Sequence, residues 1–128
     1  MDFIGIIPAR FHSTRFPGKP LALIKDKPMI QWVYENALQA LQLVWIATDD
    51  DRIYRAVRSF KGNVIKTQSS HKSGTERCAE AADMLSAQLK FDVVINIQGD
   101  EPFIHPEQIE QLKSCFKEKI QMATLVKQ

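Results

Sequence analysis

The sequence predicts an α/β fold, a mostly parallel sheet flanked by helices, and three observations predict it. Short apolar runs alternate along the chain with segments of helical period, the order expected of strands joined by crossover helices. Each apolar run is followed at once by polar or turn-forming residues. The composition, 45% hydrophobic and 25% charged over 128 residues, is that of an ordinary globular domain with one core.

The elements follow in order. "FIGIIP", residues 3–8, is the first strand. Asp26-Lys27-Pro28 opens the first helix, since proline is tolerated in a first turn, and Ile30, Val33, Ala37 and Leu41 make one apolar stripe. "LVWIAT" is the second strand, which the helix enters with almost no connecting loop and no glycine cap. Asp49 and Asp50 then occupy a capping position, Ile53, Ala56, Val57 and Phe60 give the next helix its buried face, and Gly62 ends it. "NVIKT" is a short strand. In "SSHKSGTERCAEAADMLSAQL" Cys78, Ala81, Ala82, Leu85 and Leu89 again keep helical spacing. "DVVINIQ", the most apolar strand, is expected at the centre of the sheet. Pro106 starts a helix with Ile109, Leu112 and Phe116 inward, and "MATLVK" is the last strand. Without repeats, low-complexity tracts or linkers, residues 1–128 read as one unit.

Several function classes drop out. No run approaches the roughly 18 apolar residues of a membrane helix, and "MDFIGIIPAR" lacks a basic n-region and a small-residue cleavage site, so a cytoplasmic protein without a membrane partner is expected. Cys78 and Cys115 are far apart and form no CxxC pair, which indicates packing rather than a disulfide or zinc. Trp32, Tyr34 and Trp45 fit helix and strand packing better than a base-stacking platform, and no nucleic-acid partner is expected. The net charge of +2 conceals an asymmetry, because residues 1–27 carry five Lys or Arg against Asp2 and Asp26.

Ligands of open α/β sheets bind outside the carboxyl ends of the strands, so the polar segments after each strand are the candidate site. The first, "ARFHSTRFPGKP", presents Arg10, Arg15 and Lys19 between Pro8, Pro17 and Pro20, which restrain the loop and keep it from becoming a helix, while Gly18 permits positive φ. Arginine forks and a lysine point charge suit the oxygens of a nucleoside triphosphate. A Walker A loop is excluded, because position 13 is Ser and Pro20 follows Gly18-Lys19, and a GxGxxG fingerprint is absent. After the apolar strand, "QGDEP" places Gln98, Asp100 and Glu101 where a carboxylate can hold Mg²⁺ beside substrate phosphates, although the same residues suit a plain turn. Ser73 and Glu76 form a capping box, and the helix start they mark leaves N–H groups and hydroxyls near the same place, with Arg77 as a further cation. His12 and His71 read as polar loop residues, and His105 precedes the Pro106 helix start.

"IIPARFHSTRFPGKPL", "IATDDDRI", "HKSGTERCAEA" and "VVINIQGDEPFI", in this order and spacing, resemble the 3-deoxy-manno-octulosonate (Kdo) cytidylyltransferases, or CMP-Kdo synthetases, of Gram-negative bacteria. Sialic acid cytidylyltransferases share the PAR-containing opening, and spore-coat-polysaccharide cytidylyltransferases share the STR-PGK opening. The resemblance implies a Rossmann-like sheet of the nucleotide-diphospho-sugar transferase type and an enzyme that joins CTP to Kdo, with Mg²⁺ required. It further implies that Arg10, Arg15 and Lys19 contact the triphosphate and nucleotide, with Arg10, Lys19 and Asp100 serving catalysis. Pro8 and Ala9 supply a backbone edge, Ser73, Gly74, Thr75 and Arg77 line the nucleotide pocket, Gln98 meets the sugar and Asp100 holds the metal. The family's chains are about twice this length, and their second halves supply another acidic metal ligand, much of the Kdo site and a homodimer interface. Two other readings stay open here: a non-catalytic CTP-binding module, and an α/β interaction domain whose polar loops are solvated turns.

Overall fold

The structure is a computed structural model that describes residues 2–11, 18–68, 74–98, 106–115 and 122–124. Five parallel strands form the sheet: β1 (Phe3–Ala9), β4 (Val44–Thr48), β5 (Val64–Lys66), β6 (Val93–Asn96) and β7 (Met122–Thr124), in the order β5-β4-β1-β6-β7. β1 is therefore the middle strand, and β6, expected there for its apolarity, is its neighbour. Strong hydrophobicity reports burial on both faces, which β1 and β6 share, and it does not report order.

Side chains alternate between the faces, and each face has its own core. Ile7 of β1, Val44 and Ile46 of β4 and Val93 and Ile95 of β6 meet α1 (Met29–Leu38), α2 (Asp51–Ser59) and α4 (Pro106–Cys115). Ile4 and Ile6 of β1 and Ala47 of β4 meet Cys78, Ala81 and Leu85 of α3 (Gly74–Leu85) on the other face. From β1 the chain moves outward to β4 and β5, then crosses under α3 to pair β6 with the opposite side of β1. That reversal makes the carboxyl end of β1 a topological switch point, the place where such sheets open a ligand crevice.

Local details differ from the sequence reading in instructive ways. Lys27-Pro28 is not the first helical turn but β3 (Lys27–Pro28), which pairs antiparallel with β2 (Leu23–Ile24). Lys25 and Asp26 both have positive φ, 52° and 67°, as a two-residue hairpin turn requires, so Asp26 is a turn residue and Pro28 the N-cap of α1. The stripe Ile30, Val33 and Ala37 is buried as expected, and Leu41 is buried beyond the helix end. Residues 39–43 make a connection where almost none was expected, closed by Ala40 and Leu41 N–H groups donating to the Ala37 carbonyl without any glycine. α2 begins at its expected cap, with Asp50 accepting from the N–H groups of Arg52 and Ile53. α4 starts at Pro106 and buries Ile109; Phe116 and the side chain of Leu112 lie outside the described residues. Tyr34, Trp32 and Cys78 are packing groups: the Tyr34 hydroxyl accepts from Asn63 N–H, the Trp32 indole donates to the Ile24 carbonyl, and burial pushes the Cys78 thiol up to about 12.

Candidate functional site

Of the predicted residues, Pro8, Ala9 and Arg10 stand at the carboxyl end of β1 and Gln98 follows β6. Pro8 and Ala9 are the last residues of β1, with Ala9 paired to Thr48 of β4, and Arg10 follows exposed. The β1–β6 pairing continues past the formal strand end, because Ile97 N–H donates to the Ile6 carbonyl at 2.9 Å, and half-buried Gln98 comes next. Arg15, Ser73 and Asp100 lie outside the described residues, as do His12, His71, Glu101 and His105.

The opening loop was expected to avoid helix altogether. Residues 12–17 of it lie outside the described residues; beyond them Lys19–Leu21 forms one 3₁₀ turn, with Pro20 near its start and Gly18 in the left-handed region at φ 75°. Lys19 is half-buried on that turn, which packs against α1 and α2. Gly74 begins α3 against the tip of β1: a Cβ at that position would lie 3.1 Å from Pro8 Cγ. The absent side chain lets the first turn of α3, with exposed Thr75, stand beside the Pro8–Ala9 edge, and N–H groups at a helix start favour anions.

Arg77 is placed differently from the other cations. Its side chain is only 2% exposed, and its Nη1 donates to Thr67 Oγ1 at 2.5 Å and to the Gln68 carbonyl at 3.3 Å, with Asp49 Oδ1 at 3.5 Å. The guanidinium thus joins α3 to the ends of β4 and β5 from below.

The three consecutive aspartates after β4 each meet a different cation: Asp49 meets Arg77, Asp50 meets Arg52 and Asp51 meets Lys66. The Arg52 hydrogen bond holds the Asp50 carboxyl below its ordinary range, and Lys66 does the same for Asp51. Among the described residues no group of three His, Cys, Asp or Glu side chains could hold a metal ion. Sequence reading gave neither Arg52 nor Phe11 a role, although both lie inside the motifs that carry the resemblance, because the seating of the Arg52 guanidinium on the Phe11 ring joins residues far apart in the chain.

A cavity of about 590 Å³ lies at the opposite end of the sheet, lined by Asp2, Leu43, Lys90 and Lys113 among others. It opens at the amino ends of the strands, away from the switch point. No helix among the described residues is long and apolar enough to cross a membrane.

A family model described as cytidylyltransferase matches residues 4–128. The chain belongs to the cytidylyltransferase family. It is 58% identical over 128 residues to a 3-deoxy-manno-octulosonate cytidylyltransferase of Parabacteroides distasonis, covering 99% of this chain and 50% of the relative. The corresponding enzyme of Bacteroides thetaiotaomicron is 54% identical over 128 residues, with the same coverage. A solved structure of CMP:2-keto-3-deoxy-manno-octonic acid synthetase complexed with CTP superposes with a TM-score of 0.82 at 44% identity, covering 92% of this chain and 48% of that one. The chain spans about half the length of the curated relatives it matches. The expected cytidylyltransferase fold is therefore the observed one.

Proposed function

We propose that this chain is the nucleotide-binding half of an enzyme that activates Kdo with CTP, giving CMP-Kdo and pyrophosphate for lipopolysaccharide synthesis in the cytoplasm. The observation that carries this reading is the Gly74–Thr75 helix start standing against the Pro8–Ala9 tip of β1, from which Arg10 follows directly, at the switch point of the sheet. Its support from relatives is the Kdo cytidylyltransferase at 58% identity and the synthetase solved with CTP at 44% identity.

In this reading Arg10, Arg15 and Lys19 neutralise the triphosphate, and Pro8, Ala9, Ser73, Gly74 and Thr75 form the wall of the nucleotide pocket. Arg77 serves that wall from beneath, since its guanidinium is engaged with Thr67, Gln68 and Asp49. Gln98 meets the sugar. The Kdo anomeric hydroxyl attacks the α-phosphorus of CTP; a phosphorus–oxygen bond forms as the bond to the departing pyrophosphate breaks. Holding both partners in line and neutralising the oxygens is what such transfers need from a protein.

Mg²⁺ belongs to the proposal. The carboxylates after β4 are committed to cations, whereas Asp100, which follows β6 and Gln98 in the sequence, has the hard oxygen donors that Mg²⁺ takes. When bound, the ion would add charge neutralisation at the phosphates. The second half of the whole protein would complete the Kdo pocket and form a homodimer.

A ligand that binds only the folded state raises the melting temperature by mass action. Millimolar CTP with Mg²⁺ is expected to raise Tm, with the rise growing with CTP concentration. Lys19→Ala should lower CTP affinity by about tenfold, the loss of one charge-assisted phosphate contact. A folded preparation whose Tm ignores CTP would sink the reading.

A further inference from the structure

Past β1 the chain leaves at Phe11 and comes back at Gly18, and the two are joined: Gly18 N–H donates to the Phe11 carbonyl at 2.5 Å. A Cβ on Gly18 would lie 3.1 Å from the Phe11 ring, so the glycine makes both the turn, at φ 75°, and the room for that ring. The ring also carries a group from α2, because the Arg52 guanidinium carbon lies 3.2 Å from its centroid. Arg52 is held in turn by Asp50, donating through Nη2 to Oδ2 at 2.8 Å and through Nε to Oδ1 at 3.2 Å. Asp50 is itself the N-cap of α2.

Helix stability does not explain this arrangement. Arg52 sits in the first turn of α2, where the helix dipole disfavours a cation, and the cap bonds of Asp50 need only backbone N–H groups. What Arg52 accomplishes is a tie from the α2 cap to the Phe11 ring. The Phe11–Gly18 junction continues directly into Arg10 on one side and Lys19 on the other.

We propose that Arg52 and Phe11 are positioning residues for the polyphosphate site: a clamp anchored on α2 that sets where Arg10 and Lys19 stand before the ligand arrives. The proposal rests on the reading of that site as the CTP triphosphate site. Cations already in place need no ordering when a multiply charged anion binds, and that saving appears as affinity. Arginine suits the task because one planar guanidinium can stack on a ring while forking to a carboxylate.

The first measurement needs no ligand. Amide hydrogen exchange at Gly18 should quicken about two- to fivefold in Arg52→Ala and in Phe11→Leu, while Gly62, at the far end of α2, keeps its rate. Calorimetric titration with CTP and Mg²⁺ should show each single variant weakened about two- to fivefold and the double variant no worse than either, because both remove one clamp. Unchanged Gly18 exchange in either variant overturns the proposal. Losses in CTP affinity that add in the double variant also overturn it, since they would mean that Arg52 contacts phosphate independently. A parent chain that fails to bind CTP, yet whose Gly18 exchange responds, defeats the CTP reading and leaves the clamp standing.

Discussion

Asp49, Asp50 and Asp51 are chemically identical and adjacent, yet they do three different jobs. Asp49 faces a buried arginine, Asp51 reaches across to Lys66 on β5, and Asp50 caps α2 while fixing Arg52. Only Asp50 combines a backbone role with a charge role, and the two can be separated. Because its carboxyl is depressed in the folded protein, chiefly by Arg52, its contribution is present above the ordinary carboxylate pKa of about 3.9 and is lost as pH falls through the lower folded value. Asparagine caps as well as aspartate but carries no charge. Asp50→Asn should therefore keep its fold near neutral pH and lose less stability than the parent between about pH 5 and pH 3. Urea midpoints at those pH values measure this, and parallel acid limbs would show that Asp50 adds nothing to the pH dependence.

At the scale of the element, the end of α2 shows how a stop signal can be read at the wrong residue. Gly62 marks the end, but the left-handed residue is Lys61, at φ 63°. Lys61 N–H donates to the Arg58 carbonyl and Gly62 N–H to the Val57 carbonyl, the paired bonds of a Schellman closure with Lys61 at C′. Gly62 is needed for space, since a Cβ there would lie 2.6 Å from Phe60 Cε1 and 2.8 Å from Val57 Cγ1. A lysine held left-handed is strained where glycine is not. Lys61→Gly is accordingly expected to stabilise the protein by about 0.5 to 1 kcal/mol, after the greater chain entropy of glycine is offset. An unaltered or lower denaturation midpoint would contradict that assignment of strain.

For the whole molecule, the middle strand decides how closely the layers approach. Gly5 of β1 pairs with Val44 on one side and Ile95 on the other, and it lies under the buried Leu41 and Ile97. A Cβ at Gly5 would meet Leu41 Cδ1 at 2.7 Å and Ile97 Cδ1 at 2.9 Å. Both are terminal methyls: Leu41 borders the cavity at the amino ends of the strands, whereas Ile97 is fully buried and has to shift within a close-packed core. Gly5→Ala should cost about 1 to 3 kcal/mol by overpacking, read as a lower Tm. Although Ile97 leads directly into Gln98, the same variant should disturb CTP binding less than Lys19→Ala if that site rests mainly on its cations.

The sequence by itself determined the five described strands of the parallel sheet, the four described α-helices and their order along the chain, though not the β2–β3 hairpin. Helical period, the Asp50 cap, the Pro106 start and the polar segments after each strand all act over a few residues, so they are written where they act. Its motifs also named the family and marked Pro8, Ala9 and Gly74, which the fold brings together. Only the tertiary structure put β1 rather than β6 in the middle, turned Arg77 inward to Thr67 and Asp49, and set Arg52 on Phe11. Those outcomes depend on crossovers and on partners many residues apart, where one buried cation can be satisfied only by whichever carboxylate and hydroxyl the packed layers deliver to it.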